Sequence, residues 1–248
     1  MSRRKRRKRR RRVRRVILAL VVLGLVLAAA VVMWELSWQE PDWWAPPKAD
    51  DKRVAEVAQQ IEYSLIEQAH TVRADDELWS VRIHDRHVNA WLTSRLPSWL
   101  AHSQELDWPV GFGQPQVRFE PGGVTVAIEL AGKGRQRFVA VRLVPTMVAD
   151  QLRLVVDQIS LGKLAIPGKP VGGVMARLKD AAPSGFVDDP DVQLVMQWLL
   201  EGRSLDPVAT LADGRIVRLV AISCEEGAVV MRCRTISGSA SAEVSGQK

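Results

Sequence analysis

VRFEPGGVTVAIELAGKGRQRFVAVRLVPTMVADQLRLVVDQI, residues 117–159, sets the architecture. Within it Val124, Val126, Ile128 and Leu130 alternate with Thr125, Ala127 and Glu129, the period of a strand with one buried face. Val117 and Phe119 lead into Glu120-Pro121-Gly122-Gly123, where proline and glycine favour a reversal, so the first two strands form a hairpin. Gly132-Lys133-Gly134 supplies another reversal. Residues 138–144 and 152–159 give two further strands, separated by an Ala149-Asp150-Gln151 turn. Strands this close in sequence pair antiparallel, because a parallel pair needs a long crossover between its members.

Toward the C-terminus, Ile166-Pro167-Gly168-Lys169-Pro170 breaks the pattern. A weak helix is predicted over 174–178. A firmer one starts at Asp189-Pro190 and buries Val192, Val195, Met196, Leu199 and Leu200, with proline at its first position. A last hairpin runs over 215–224, turns at Glu225-Glu226-Gly227 and returns over 229–235. The small, polar residues 237–248 read as a flexible tail.

Toward the N-terminus, Val54, Val57, Ala58, Ile61, Leu65, Ile66 and Ala69 recur at helical intervals, with Asp50 as the expected N-cap. Trp79, Val81 and Ile83 alternate as a strand. Asp85 is expected to cap a helix carrying Val88, Trp91, Leu92 and Leu96, which Pro97 ends. Residues 109–115 are a glycine-rich connection. The expected class is α+β: one domain over 50–236, with a mainly antiparallel sheet and helices packed on one face.

Ahead of that domain the chain changes character. Residues 3–12 are all Arg or Lys, and Arg14 and Arg15 follow; without these 12 charges, 23 basic residues face 28 acidic ones, a net −5. The high pI therefore belongs to the tail and implies no basic patch on the domain. Val16 to Trp34 carries no charge and no strongly polar group. As a helix this run spans about 28 Å, close to a bilayer's hydrocarbon core.

The expected organisation is a cytoplasmic polybasic tail over 1–15 and a transmembrane helix with aromatic belt over 16–38. A Pro/Trp linker over 39–49 follows, and then the extracytoplasmic domain. The positive-inside bias sets this orientation, a single-pass signal-anchor in the inner membrane. Arg14, Arg15, Trp34, Trp38, Trp43 and Trp44 are the expected membrane-interface residues. The competing reading is a cleaved signal peptide processed at Ala28-Ala29-Ala30, but Val31, Val32 and Met33 prolong the apolar run beyond it. Dense positive charge also suits nucleic acid, yet beside a membrane helix the expected partners are anionic lipid headgroups, with no nucleic acid.

Two cysteines, Cys224 and Cys233, fall in the last hairpin. With Glu226-Gly227 as its loop, Cys224 opposes Val229 and Cys233 opposes Val220, which leaves the thiols about 13 Å apart along the strands. That exceeds disulfide reach, so both are expected free.

Chemistry-bearing motifs are scarce. H-E-x-x-H, C-x-x-C, G-x-S-x-G and the P-loop are all missing, and Gly111-Phe112-Gly113 lacks the third glycine of a dinucleotide fingerprint. His84-Asp85-Arg86-His87 is the densest cluster, but it straddles a strand end and a helix start, where solvated histidines are expected. Asp75-Asp76 and Asp188-Asp189 sit at turns where capping accounts for them. No catalytic, cofactor-binding or metal-ligating residue is assigned.

Ile83-His84-Asp85 followed by Val88-Asn89-Ala90-Trp91-Leu92 resembles the strand-then-helix passage of the YpmS-like family, uncharacterised bacterial proteins with one N-terminal membrane helix. Asp150-Gln151-Leu152 with its strand, then Gly162-Lys163-Leu164-Ala165-Ile166-Pro167, is similar to a later passage of that family. The resemblance covers residues 50–170; Gln151 in place of glycine and the long arginine tail depart from it. It implies the same architecture and carries no established catalytic residues. Asn89 within it is expected to be structural, its amide fixing the preceding turn.

The expected function is a non-enzymatic, membrane-anchored extracytoplasmic domain binding lipid, envelope polymer or a protein partner. The alternative is a structural subunit of an envelope membrane complex, and a hydrolase using His84, Asp85 or His87 comes third. A lipid binder should show an apolar groove between sheet and helices.

Overall fold

The computed structural model describes residues 3–103, 108, 111–131, 135–166, 204–211 and 213–236, with the side chains of 3–17, 19 and 103 outside that description. The fold is α+β, with antiparallel pairing throughout. The helices expected over 174–178 and from Asp189, the Gly132-Lys133-Gly134 reversal and the tail over 237–248 lie outside the described residues.

Helix α1 (Arg3–Leu36) contains the apolar run. Every described side chain from Leu18 to Glu35 is exposed, and Glu35, near the end of the helix, lies 3.8 Å from the Arg135 guanidinium. Among the described residues no helix is long and apolar enough to cross a membrane. Val16, Ile17 and Ala19, which open the run, are among the side chains not described.

Helix α2 (Lys52–His70) starts one residue later than expected: Asp51 is its N-cap, accepting a 2.9 Å hydrogen bond from the Arg53 amide. Only part of its apolar stripe is buried. Ala58 and Ile61 pack inward, but Leu65 and Ile66 are exposed. Strand β1 (Leu78–His84) alternates as its sequence implies, with Trp79, Val81 and Ile83 inward.

Helix α3 (Asp85–Ser94) then begins without a side-chain cap. Asp85 is its first residue, and its carboxylate accepts from the adjacent Arg86 amide at 2.7 Å. Pro97 does not simply end this helix. It lies in the first turn of a further helix, α4 (Leu96–Ser103), where a missing N–H costs no intrahelical bond.

Where one sheet was expected there are two. The second sheet is the meander β2 (Gln116–Glu120), β3 (Gly123–Ala131), β4 (Gln136–Val148), β5 (Gln151–Leu161) and β6 (Leu164–Ile166), in sequence order, with β7 (Ser204–Leu205) also pairing β5. Its β4–β5 loop is the two-residue reversal Ala149-Asp150, both at positive φ, with Val148 paired to Gln151. The first sheet has the order β1–β10–β9–β8, from β8 (Val208–Thr210), β9 (Ile216–Glu225) and β10 (Ala228–Ile236).

Phe119, Cys224 and Val229 form the buried seam between the sheets, with Ile83, Val88, Val117, Val124, Ile222 and Met231 packed around them. Backbone bonds stitch the same seam. Gly122 donates to the Cys224 carbonyl and Gly227 to the Phe119 carbonyl, each at 3.0 Å, so each hairpin tip is tied to the other sheet. Asn89 of α3 extends the stitching. Its side chain donates to the Val117 carbonyl at 2.8 Å and accepts from the Val117 amide at 2.7 Å, as a neighbouring strand's peptide would. It thus docks the helix on β2 instead of fixing the turn before it.

Candidate functional site

The chain leaving α1 is folded against the second sheet. Ser37 and Trp38 continue the winding through bonds to the Met33 and Glu35 carbonyls, and the Lys163 amide donates to the Leu36 carbonyl at 3.0 Å. Glycine is required at the contact. Gly162 has φ +58°, and a Cβ there would lie 2.6 Å from the Leu36 carbonyl oxygen and 2.7 Å from that of Gln39.

Beyond it, Pro41 is buried, and Trp44 meets Phe138 edge to face at 5.2 Å. The Ala45 amide donates to buried Gln116 at 3.3 Å, and the Lys163 ammonium pairs with the Asp42 carboxylate. Of the expected interface residues, Trp38 is half-buried under the Arg137 guanidinium, 4.2 Å from its ring, while Trp43 and Trp44 are half-buried on the sheet. Trp34 is 59% exposed at the end of the helix. The side chains of Arg14 and Arg15 lie outside the described residues.

This docked segment walls a groove of about 480 Å³ against the outer face of the second sheet. The face has a defined chemistry. Pairing aligns Arg118 with Thr125, Thr125 with Arg142 and Arg142 with Gln158, one polar row across four strands. Val117, Phe119 and Val124, their neighbours along β2 and β3, pack at the seam instead. A bulge between Arg142 and Leu143 puts Asp157 beside Gln158 on the polar side, breaking the alternation of β5. The Arg142 guanidinium then bonds Asp157 at 2.7 Å and the Pro121 carbonyl at 3.1 Å, and lies 3.7 Å from Glu120.

Arg118 contacts Glu120 at 3.4 Å and Glu226 at 3.5 Å, and the Thr125 hydroxyl donates to Glu120 at 3.2 Å. Ser160, bonded to the Gln158 amide at 3.1 Å, and Lys163 complete the floor beneath Asp42 and Trp43. The site therefore offers donors and acceptors in a nearly charge-balanced array with one indole wall. None of these sheet residues was singled out from sequence. The Asp157-Gln158 interruption was the available signal, but joining four strands into a row requires the register.

A second groove, of about 510 Å³, lies between α2 and α3–α4. Tyr63, Ile66 and Trp99 are exposed along it, and the Trp91 indole donates to Glu62 at 2.9 Å.

The histidine cluster is not a converging site. The His84 and His87 rings are 5.7 Å apart, edge to face, and among the described residues no group of three His, Cys, Asp or Glu could hold a metal ion. Burial, then the Arg86 charge and the His84 ring, holds His87 below its usual 6.5, with Asp85 opposing weakly. Gly111-Phe112-Gly113 extends the pairing of β3, the Gly113 amide donating to Glu129 at 2.7 Å. Cys224 and Cys233 are free and buried, and burial pushes both thiols up. Cys224 opposes Val229 as expected; a bulge after Arg232 brings Cys233 opposite Leu219 instead of Val220.

No protein-family model matches the chain, and no curated protein or solved structure matches it.

Proposed function

We propose that this protein is a single-pass, membrane-anchored, non-enzymatic domain that binds a polar ligand at the outer surface of the inner membrane, in the groove beside the end of α1. One observation carries the reading: the segment after the helix is folded onto the sheet and closes the groove, so anchor and site are one continuous structure. Held by Gly162, Lys163 and Gln116, the domain cannot drift from the bilayer as it would on a flexible tether. A helix that exposes Leu18 to Trp34 on every side finds its stable environment in lipid, and the preceding arginines keep the N-terminus cytoplasmic, against anionic headgroups.

Within the binding hypotheses, the polar floor favours an envelope polymer or headgroup over an acyl chain. The carboxylates in it are engaged by arginine, an arrangement suited to recognition and not to proton transfer. The resemblance to the YpmS-like proteins agrees with the same single-pass arrangement.

A periplasmic-type reporter fused after Lys248 should be active outside the cell, and activity only inside would reverse the topology. Lipid extraction and mass spectrometry of the purified protein should recover no stoichiometric acylated ligand.

The aromatic groove along α2 and α4 supports a second reading, a subunit of an envelope complex, with exposed Tyr63, Ile66 and Trp99 as the contact. A photo-crosslinker at position 99 giving one discrete product in cells would favour it, and monomer alone would count against it.

A further inference from the structure

We infer that the groove beside α1 takes a neutral, hydroxyl-rich glycan segment; this names the ligand of the proposed binding site and rests on that reading. The first ground is charge compensation. Each cation lining the groove already has a carboxylate: Arg118 has Glu120 and Glu226, Arg142 has Asp157 and Glu120, and Lys163 has Asp42. A phosphate or carboxylate ligand would have to displace one of these anions and then lie beside it, which the Coulomb term opposes. Sugar hydroxyls need no displacement. Each donates to a carboxylate oxygen and accepts from a guanidinium, amide or hydroxyl, and this lining alternates such groups.

The second ground is shape and surface. Trp43 lines the groove together with the polar row and the small Ala140, so an indole and a sheet face carrying little side-chain bulk at that position share one site. A pyranose has apolar C–H faces and a polar rim, so one face lies on the indole while the rim reaches Gln158, Ser160 and Arg142. A volume of about 480 Å³ suits a short oligosaccharide. The third ground is placement. In the proposed topology the groove opens just outside the bilayer, where glycan polymers of the envelope are anchored.

The test uses the full chain in detergent micelles, titrated calorimetrically with three neutral tetrasaccharides: the β-1,4 N-acetylglucosamine tetramer, cellotetraose and maltotetraose. Inorganic phosphate and phosphatidylglycerol nanodiscs are parallel arms. At least one tetrasaccharide should bind with a Kd on the order of 0.1–1 mM, unchanged between low and high salt because no net ligand charge is involved. Trp43→Ala and Gln158→Ala should each weaken binding by about tenfold or more, Trp43→Phe should restore much of it, and Val72→Ala, at an exposed residue that lines neither groove, should change nothing. Gln158 is exposed, so its variant separates lost contact from lost folding.

Salt-sensitive binding of phosphate or phosphatidylglycerol that Gln158→Ala weakens, with no tetrasaccharide bound, overturns the glycan assignment and keeps the binding-site reading. Binding in no arm overturns both. Tetrasaccharide binding insensitive to Trp43→Ala and Gln158→Ala overturns the assignment of this groove.

Discussion

In the second sheet, β2 to β6 neighbour one another in sequence as they do in space, whereas the first sheet joins β1 at residues 78–84 to β10 at 228–236. Of the former, β2 to β5 could be drawn from turns and alternation alone, while β6 carried no such signal. The latter depends on a strand whose partner lies about 150 residues away, so its formation carries the entropic cost of closing a long loop. The seam shows how the two are made interdependent: each hairpin tip bonds the other sheet, and Phe119 of one packs on Cys224 and Val229 of the other.

The largest effect is expected at that joint. Phe119→Ala should cost about 3–5 kcal/mol by emptying the seam. Chemical denaturation followed by both near-UV and far-UV circular dichroism should still give one transition. Two separated transitions would mean the sheets are independent folding units.

Gly162→Ala attacks the contact between the segment after α1 and the second sheet. A positive φ and a Cβ 2.6 Å from the Leu36 carbonyl oxygen should cost about 1–3 kcal/mol locally. Limited chymotrypsin digestion should then cut near Trp38, Trp43 and Trp44, leaving the sheets resistant. Unaltered cleavage would show that the segment is not held there.

Asn89→Ala removes both hydrogen bonds to Val117 and leaves that backbone pair unmatched, at about 1–3 kcal/mol. Amide exchange should speed up first at β2. Asn89→Asp should lose the donated bond and be destabilised as well; parity of either variant with the native chain would make the pair ornamental.

A smaller effect comes from His87. Its folded pKa lies below the unfolded 6.5, so the unfolded chain binds the extra proton first. The contribution is present above about pH 6.5 and is lost as pH falls toward the folded value. His87→Gln should flatten that slope in thermal melts between pH 7 and pH 5. An unchanged slope would assign it to other groups.

The least change is expected at the thiols. Buried and pushed up, Cys224 and Cys233 should react with a maleimide at pH 7 only as the protein unfolds. Fast labelling of either in the native chain would show that the first sheet opens locally.

Legibility followed range. The Glu120–Gly123 and Glu225–Gly227 reversals, the strand period of β1 and β3, and the Cys224–Val229 pairing were readable because each depends on residues within one strand or one hairpin; the more buried face of β3 is nonetheless that of Gly123, Thr125 and Ala127, not the Val124–Leu130 stripe. The shifted partner of Cys233 was not, because a bulge is invisible to a count that assumes regular pairing. The α2 stripe was over-read at Leu65 and Ile66, since periodicity reports which side could be buried and not how far the partner extends. Asn89 was correctly structural, but its partner lies 28 residues on, beyond local inference.

By itself the sequence determined the α+β class, the consecutive hairpins and a helix of unbroken apolar surface behind an arginine block. These arise from near-neighbour sterics, side-chain period and local charge. Only the tertiary structure decided that there are two sheets, that the Trp-rich segment lies folded on one of them, and that Arg118, Thr125, Arg142 and Gln158 form one row. A strand's alternation says which residues share its face, but the register between strands, fixed by turns, bulges and packing, says which residues meet across it.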